Sequence, residues 1–290
     1  MNDHGIQQTP SGPSDIILIE RILQGSRIDL EALLMRYQAW IYNVALKMTL
    51  SVQDAEDITQ EILIKLVTKL STFDSGKAAF RTWLYRIVAN HVLNMRKSRY
   101  ENLFASFDAS AEAMEKIPDQ SIGSSPEVLV LVEELKIKCL TGLLLCLDRK
   151  QRFIFIMSEI FDVGNPEGAA IMAVSQDNYR QMRSRGRRKV YQFINRNCGL
   201  IHPDNPCHCP AKVKSLIHQG FVDPHDLVFY KDKVKSIEDA LSRNRGELEQ
   251  AYSSESAQKL FRNHPFYDPP DFRKMLGRIL SADLVRLFNG

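Results

Sequence analysis

Apolar residues recur at helical spacing along most of the chain, and the helices they imply can be read in order. Leu30, Leu33, Leu34, Tyr37, Ile41, Val44, Ala45 and Met48 hold one face, so residues 15–50 are expected to form two helices. Ser51 followed by Asp54 fits a helix start, a hydroxyl three residues before a carboxylate. Ile58, Ile62, Leu63, Leu66, Val67 and Leu70 then make the next apolar face. Phe73-Asp74-Ser75-Gly76 breaks that helix, and the following one should begin near Ala78 or Phe80. Its broad face is Phe80, Trp83, Leu84, Ile87, Val88 and His91. Further helices are expected near 127–146, 149–161 and 166–172, and from about Gln176 onward. Ala173-Val174-Ser175 reads as a tight turn with Ser175 as N-cap. Val234, Ile237, Leu241, Leu248 and Ala251 keep an a/d-like rhythm, and residues 272–288 form a last, strongly apolar pattern. The fold class is therefore all-α.

The polar positions add chemistry. Asp57, Glu61 and Lys65 follow one another at i, i+4 and i+8, with Asp54 and Gln60 nearby. Such charges are usually a solvated face holding one Glu-Lys pair worth a few tenths of a kcal/mol. The sharper reading is a docking face for a basic partner. On the next helix Arg86, Asn90, Asn94 and Lys97 form a stripe, and Arg81 and Arg96 add positive charge. Cations that track phosphate, amides that read base edges and rings that stack suit single-stranded nucleic acid. The aromatics are equally suited to a core. Farther on, a short helix, a tight turn and a helix bearing Arg180, Arg183, Arg185, Arg187, Arg188 and Lys189 read as a helix-turn-helix. Clustered basic residues on the second helix are the footprint of phosphate contact.

The totals are those of an ordinary soluble protein: 290 residues, 44% hydrophobic, 25% charged and a net charge of +3. That length suggests about two domains. No apolar run approaches a membrane span, and Ile16-Ile17-Leu18-Ile19 lacks the flanks of a signal peptide, so a cytoplasmic protein without membrane insertion is expected. No glycine-rich phosphate loop or triad order points to an enzyme.

The run DAEDITQEILIKL, then Phe73 and Phe80 with six residues between them, then FRTWLYRIVANHVLN, resembles region two of bacterial RNA polymerase sigma factors of the extracytoplasmic-function type. The segment from Leu147 to Val190 resembles sigma region four. It keeps Leu147, Gln151, Arg152, Phe155, Glu159, Glu167, Ala169, Ile171, Ser175, Arg185 and Arg187 of that pattern. It departs with Asp148 for a Pro, Gly168 for an Ile and Ala173 for a turn Gly. Gly168 is expected to loosen the short helix by roughly 1 kcal/mol.

The resemblance implies a sigma factor that directs core RNA polymerase to a restricted set of promoters. Asp54, Asp57, Gln60 and Glu61 would face the β′ clamp. Residues 73–80 and the helix after them would read the −10 element through Phe73, Phe80, Arg81, Trp83, Tyr85, Arg86, Asn90, Asn94, Arg96 and Lys97. Ser175, Gln176, Asn178, Tyr179, Arg180, Arg183 and Arg187 would meet the −35 element. An anti-sigma factor is a further implied partner. The alternative, a helix-turn-helix regulator acting without polymerase, leaves the acidic helix unexplained. The modules expected are a disordered tail (1–14), region two (15–99), a partly acidic linker (100–126), region four (127–194) and an extension (195–290).

The extension opens on NCGLIHPDNPCHCPAK. Cys198, Cys207 and Cys209 with His202 or His208 make a candidate zinc set, His208 being the preferred fourth ligand, because thiolate and imidazole suit that metal. The spacing matches no common finger, and a Pro-rich turn with free thiols is the competing reading. Cys139 and Cys146 lie in an apolar helix and read as buried small residues. The apolar pattern at 272–288 must bury against this chain or another protein, so the extension is expected to regulate in cis or to bind a partner.

Overall fold

The computed structural model describes residues 12–120, 123, 125–229, 256–270, 272 and 277. The tail at 1–11, the a/d-like helix at 234–251 and nearly all of the final apolar pattern lie outside the described residues. Among the described residues every regular element is a helix, and one isolated bridge joins Cys198 to Cys207. No described helix is long and apolar enough to cross a membrane. The described residues divide into two compact units, those within 12–98, 153–183 and 265–277 in the first, those within 99–152, 184–229 and 256–264 in the second.

The first unit is built around α2 (Arg27–Thr49), with α1 (Asp15–Leu23), α3 (Val52–Lys69), α4 (Phe80–Asn94) and α9 (Asn165–Met172). Each of the first three helices starts on a serine. Ser14, Ser26 and Ser51 accept from the N–H groups of Ile17, Asp29 and Asp54, which satisfies donors a helix start leaves unpaired. Asp15 joins α1 to α2 by accepting from Arg36 and Tyr37, both at 2.6 Å. Leu33, Leu34, Ile41, Val44, Ala45 and Met48 are fully buried, as their spacing implies. Burial of one such Leu or Ile contributes roughly 1.5–3 kcal/mol.

From Tyr37 onward α2 is covered nearly all round, so Asn43 and Lys47 are fully buried as well. Their partners come from residues 265–267. Asn43 exchanges two hydrogen bonds with Tyr267, donating to its carbonyl at 2.7 Å and accepting from its N–H at 3.0 Å. Lys47 donates to the Pro265 carbonyl at 3.2 Å.

Helix α8 (Arg149–Phe155) continues as a π-turn over Ile156–Ile160, which carries Glu159 inward. The helix-turn-helix follows as α9, a turn at 173–175 and α10 (Gln176–Asn197), with Ile154, Ala169 and Tyr179 as its small core. The Gly168 expectation is corrected here. A Cβ at Gly168 would collide with the Tyr179 ring, so the glycine admits a larger side chain from the facing helix and is not a hole. Ala173 closes α9 in the left-handed region, φ 52°, while Val174 and Ala173 donate to the carbonyls of Ala169 and Ala170. An L-residue pays about 1 kcal/mol there. Ala173→Gly should therefore stabilise the first unit by about 1 kcal/mol. Urea unfolding followed by tryptophan fluorescence checks this, because both tryptophans, Trp40 and Trp83, lie in that unit.

The second unit packs α7 (Pro126–Leu145) against α5 (Arg99–Leu103), α6 (Phe107–Lys116), residues 184–197 of α10 and α11 (Cys209–His218), with α12 (Ala257–Arg262) joining the same unit. The stretch expected as a tether thus carries two helices. The tip of the Phe104 ring meets α7 where Gly142 leaves room for it. Arg152 stands at the end of α7, donates to the carbonyls of Leu144, Leu145 and Leu147, and pairs with Glu101 at 2.9 Å. Glu134, fully buried on α7, accepts from the N–H groups of Val228 and Phe229 at 2.9 and 2.8 Å. Those bonds fasten the extension to this helix.

Candidate polymerase and promoter surfaces

The apolar face of α3 is sunk into the first unit, which leaves its other face to solvent. Asp57, Gln60 and Glu61 are exposed and Asp54 is half-buried. A groove of about 610 Å³ runs from Asp54, Asp57 and Glu61 to Asn90, Asn94 and Arg96 beyond the end of α4. His91 sits in this groove, its Nδ1 2.6 Å from Lys65 Nζ and its Nε2 3.6 Å from a Glu61 oxygen. Burial, and then the Lys65 charge, hold His91 below the ordinary histidine range, against the pull of Glu61. A neutral ring accepts from the ammonium through Nδ1 and turns Nε2–H to Glu61. The α3 side of the groove carries Asp54, Asp57 and Glu61 with Lys65 and Lys69 beyond them, and the other side carries amides and cations.

The residues expected at the −10 surface separate into two groups. Asn90, Asn94, Arg96 and Lys97 are exposed. Phe73, Phe80 and Trp83 form one aromatic cluster with ring centroids 5.3–5.6 Å apart, in which Phe80 is buried and the other two are half-buried. Tyr85 is core: it stacks on Trp40 at 3.7 Å, and burial pushes its hydroxyl up to about 12. Phe80 and Tyr85 are thus corrected from base-contacting to packing residues, because α2 presents Tyr37 and Trp40 to them. Arg81 and Arg86 face α9. Arg86 Nε donates to the Ala170 carbonyl at 2.8 Å, and Arg81 stands 3.8 Å from Glu167.

On α10, Ser175 caps the helix by accepting from Asn178 N–H at 3.2 Å, and Gln176, Asn178 and Arg180 are exposed, Arg180 paired with Asp177. Tyr179 is buried against Gly168 and is corrected to a core residue. Arg183 is turned inward, with Nε and Nη2 3.0 and 2.9 Å from buried Glu159 and Nη1 3.1 Å from Asn165. Arg187 lies over the Tyr191 ring at 5.1 Å and reaches Gln258. Arg185, Arg188 and Lys189, absent from the expected contacts, are exposed as well, Lys189 donating to Gln151 Oε1 at 3.1 Å.

In the extension Cys198, Cys207 and Cys209 line one small cavity, of which His208, its ring against Gly199, is not part; among the described residues no group of three such side chains is placed to hold a metal ion.

These surfaces coincide with two matched families. Residues 33–101 match Sigma-70 region 2, and residues 137–190 match Sigma-70, region 4. The ECF RNA polymerase sigma-E factor of Escherichia coli K12 is 30% identical over 164 residues, 55% of this chain and 83% of that protein. The chain belongs to the extracytoplasmic-function sigma factors. A sigma factor is a DNA-binding protein that directs transcription initiation and is not an enzyme. The RNA polymerase sigma-H factor of Pseudomonas aeruginosa is 36% identical over 77 residues, 27% of this chain and 39% of that protein, so the chain matches about two fifths of its length. Among solved structures, that of CnrH in complex with the cytosolic domain of CnrY is similar with a TM-score of 0.43 and 20% identity, covering 62% of this sigma factor and 97% of that chain.

Proposed function

We propose that this sigma factor docks on the β′ clamp of core polymerase in the cytoplasm through the exposed acidic face of α3, and leads the −10 strand across the groove to Asn90, Asn94, Arg96 and Lys97. The observation that carries this is the shared groove: Asp54, Asp57 and Glu61 lie along one wall ahead of Lys65 and Lys69, and exposed amides and cations line the other. A partner bound to the first wall leaves the second free for nucleic acid. The −35 contact falls to Ser175, Gln176, Asn178 and Arg180.

The contacts of α9 on α4 suit a resting form. Arg81 and Arg86 are engaged by Glu167 and the Ala170 carbonyl, and both must be released before they meet DNA. An independent helix-turn-helix regulator would have no use for the exposed carboxylates of α3.

Asp57→Lys with Glu61→Lys reverses two exposed charges without touching the core. Binding to core polymerase should fall at least tenfold, with helicity by circular dichroism unchanged. Run-off transcription from a promoter library should fall in parallel. Full binding by the double variant would refute the assignment.

A further inference from the structure

Four of the five cysteines converge on one place, although they come from three parts of the chain. Cys139 lies on α7, Cys198 just past the end of α10, Cys207 in the loop that follows, and Cys209 opens α11. All four line a single cavity of about 20 Å³ in the second unit. The backbone that holds them is closely tied. Cys198 and Cys207 face each other across the isolated bridge, with Gly199 N–H donating to the Cys207 carbonyl at 2.9 Å and Cys207 N–H to the Asn197 carbonyl at 3.1 Å. Asn205 Nδ2 donates to the Cys198 carbonyl at 2.9 Å. Gly199 has no substitute here, because a Cβ would strike the His208 ring.

We propose that Cys139, Cys198, Cys207 and Cys209 form a tetrathiolate zinc site that fastens the start of the extension to α7. Four sulfur donors in one small cavity suit a tetrahedral d¹⁰ ion and a closed structural site. The Ile201 N–H donates to the Cys198 carbonyl at 3.1 Å, which fixes the turn that follows this thiol. Lys136 lies near Cys198 and Cys209 and Lys212 near Cys207, each itself paired with a carboxylate, Glu133 at 3.6 Å and Asp119 at 2.9 Å. Binding releases four protons, one per thiol, so affinity rises with pH.

Burial raises all four thiols, Cys207 to about 11, which makes them poor nucleophiles at neutral pH and argues against a redox-sensing thiolate. Among the described residues no group of three or more His, Cys, Asp and Glu side chains is placed to hold a metal ion, so the four thiols must close on one another for zinc to bind. The site differs from the set suggested by the loop alone in one residue: Cys139 replaces His208.

The test is metal analysis of the full chain purified without chelator, incubated with zinc and desalted. One zinc per chain is expected. Cys139→Ser should lower occupancy at least tenfold, while His208→Ala and Cys146→Ser retain it. Occupancy below a tenth in the parent, or loss in His208→Ala with retention in Cys139→Ser, overturns the proposal. Should Cys139→Ser fail to fold, native alkylation of the parent decides: the Cys139, Cys198, Cys207 and Cys209 peptides should gain reactivity together when chelator is added. A Cys139 peptide indifferent to chelator, or a Cys198–Cys207 disulfide in protein handled without oxidant, counts against the site.

Discussion

Arg183→Ala should unfold the first unit well before it weakens DNA binding. Its guanidinium makes two hydrogen bonds to Glu159, which is 0% exposed, and a third to Asn165. Removing the arginine leaves a carboxylate buried with its countercharge gone, a change that typically costs 3–5 kcal/mol. That is a large part of the stability of any domain, roughly 5–15 kcal/mol. The loss should appear as a lowered urea midpoint in tryptophan fluorescence. Arg183→Ala combined with Glu159→Gln should recover much of it, since the uncompensated charge is then gone. Arg180 gives the contrast. It is exposed on the first turns of the same helix, and Arg180→Ala should leave the midpoint within about 0.5 kcal/mol while reducing the salt slope of duplex binding by about one. An Arg183→Ala protein of parental stability whose salt slope drops by one would reverse these roles.

Arg183 also shows where reading the sequence reaches its limit. Spacing placed the helices well. The expected starts at Ser51, at Phe80 and after Ser175 are where serine caps or the apolar face put them, because those signals act within one turn. The acidic face of α3 was equally legible, since a period of 3.6 separates it from Ile58, Ile62 and Leu66. Which arginine on α10 faces inward was not. That depends on Glu159, which a π-turn carries to the interior 24 residues earlier. The same holds for Tyr179, whose place is made by an absent side chain at Gly168. Tyr85 reads as an exposed family aromatic until Trp40 is seen stacked upon it. Cys139 looked like a small apolar residue of α7 because the other three thiols lie about sixty to seventy residues away in sequence. In each case the deciding neighbour is distant in sequence, and local pattern carries no information about it.

Lys47 is the extreme example, and it makes the first unit pH-sensitive. It lies on the apolar face of α2 and is 0% exposed, enclosed by the rings of Phe161 and Tyr267, with the Pro265 carbonyl and Asn43 Oδ1 each 3.2 Å away. Burial lowers its ammonium to about 7, against an ordinary value near 10.5. The unfolded chain therefore binds one more proton than the folded one between about pH 7 and pH 10.5. Stability contributed at this site must rise with pH through that window, at up to about 1.4 kcal/mol per pH unit, for a total on the order of 5 kcal/mol. Below pH 7 the full cost of burying the charge is present and flat. Above pH 10.5 it is gone. Lys47→Met keeps the length of the side chain and has nothing to titrate. The difference in unfolding free energy between parent and Lys47→Met should therefore grow steadily in the parent's favour from pH 7.5 to 10, in urea titrations followed by the two tryptophans. Parallel pH profiles would mean that Lys47 keeps an ordinary ammonium in the folded protein, and that residues 265–267 do not seal it from water.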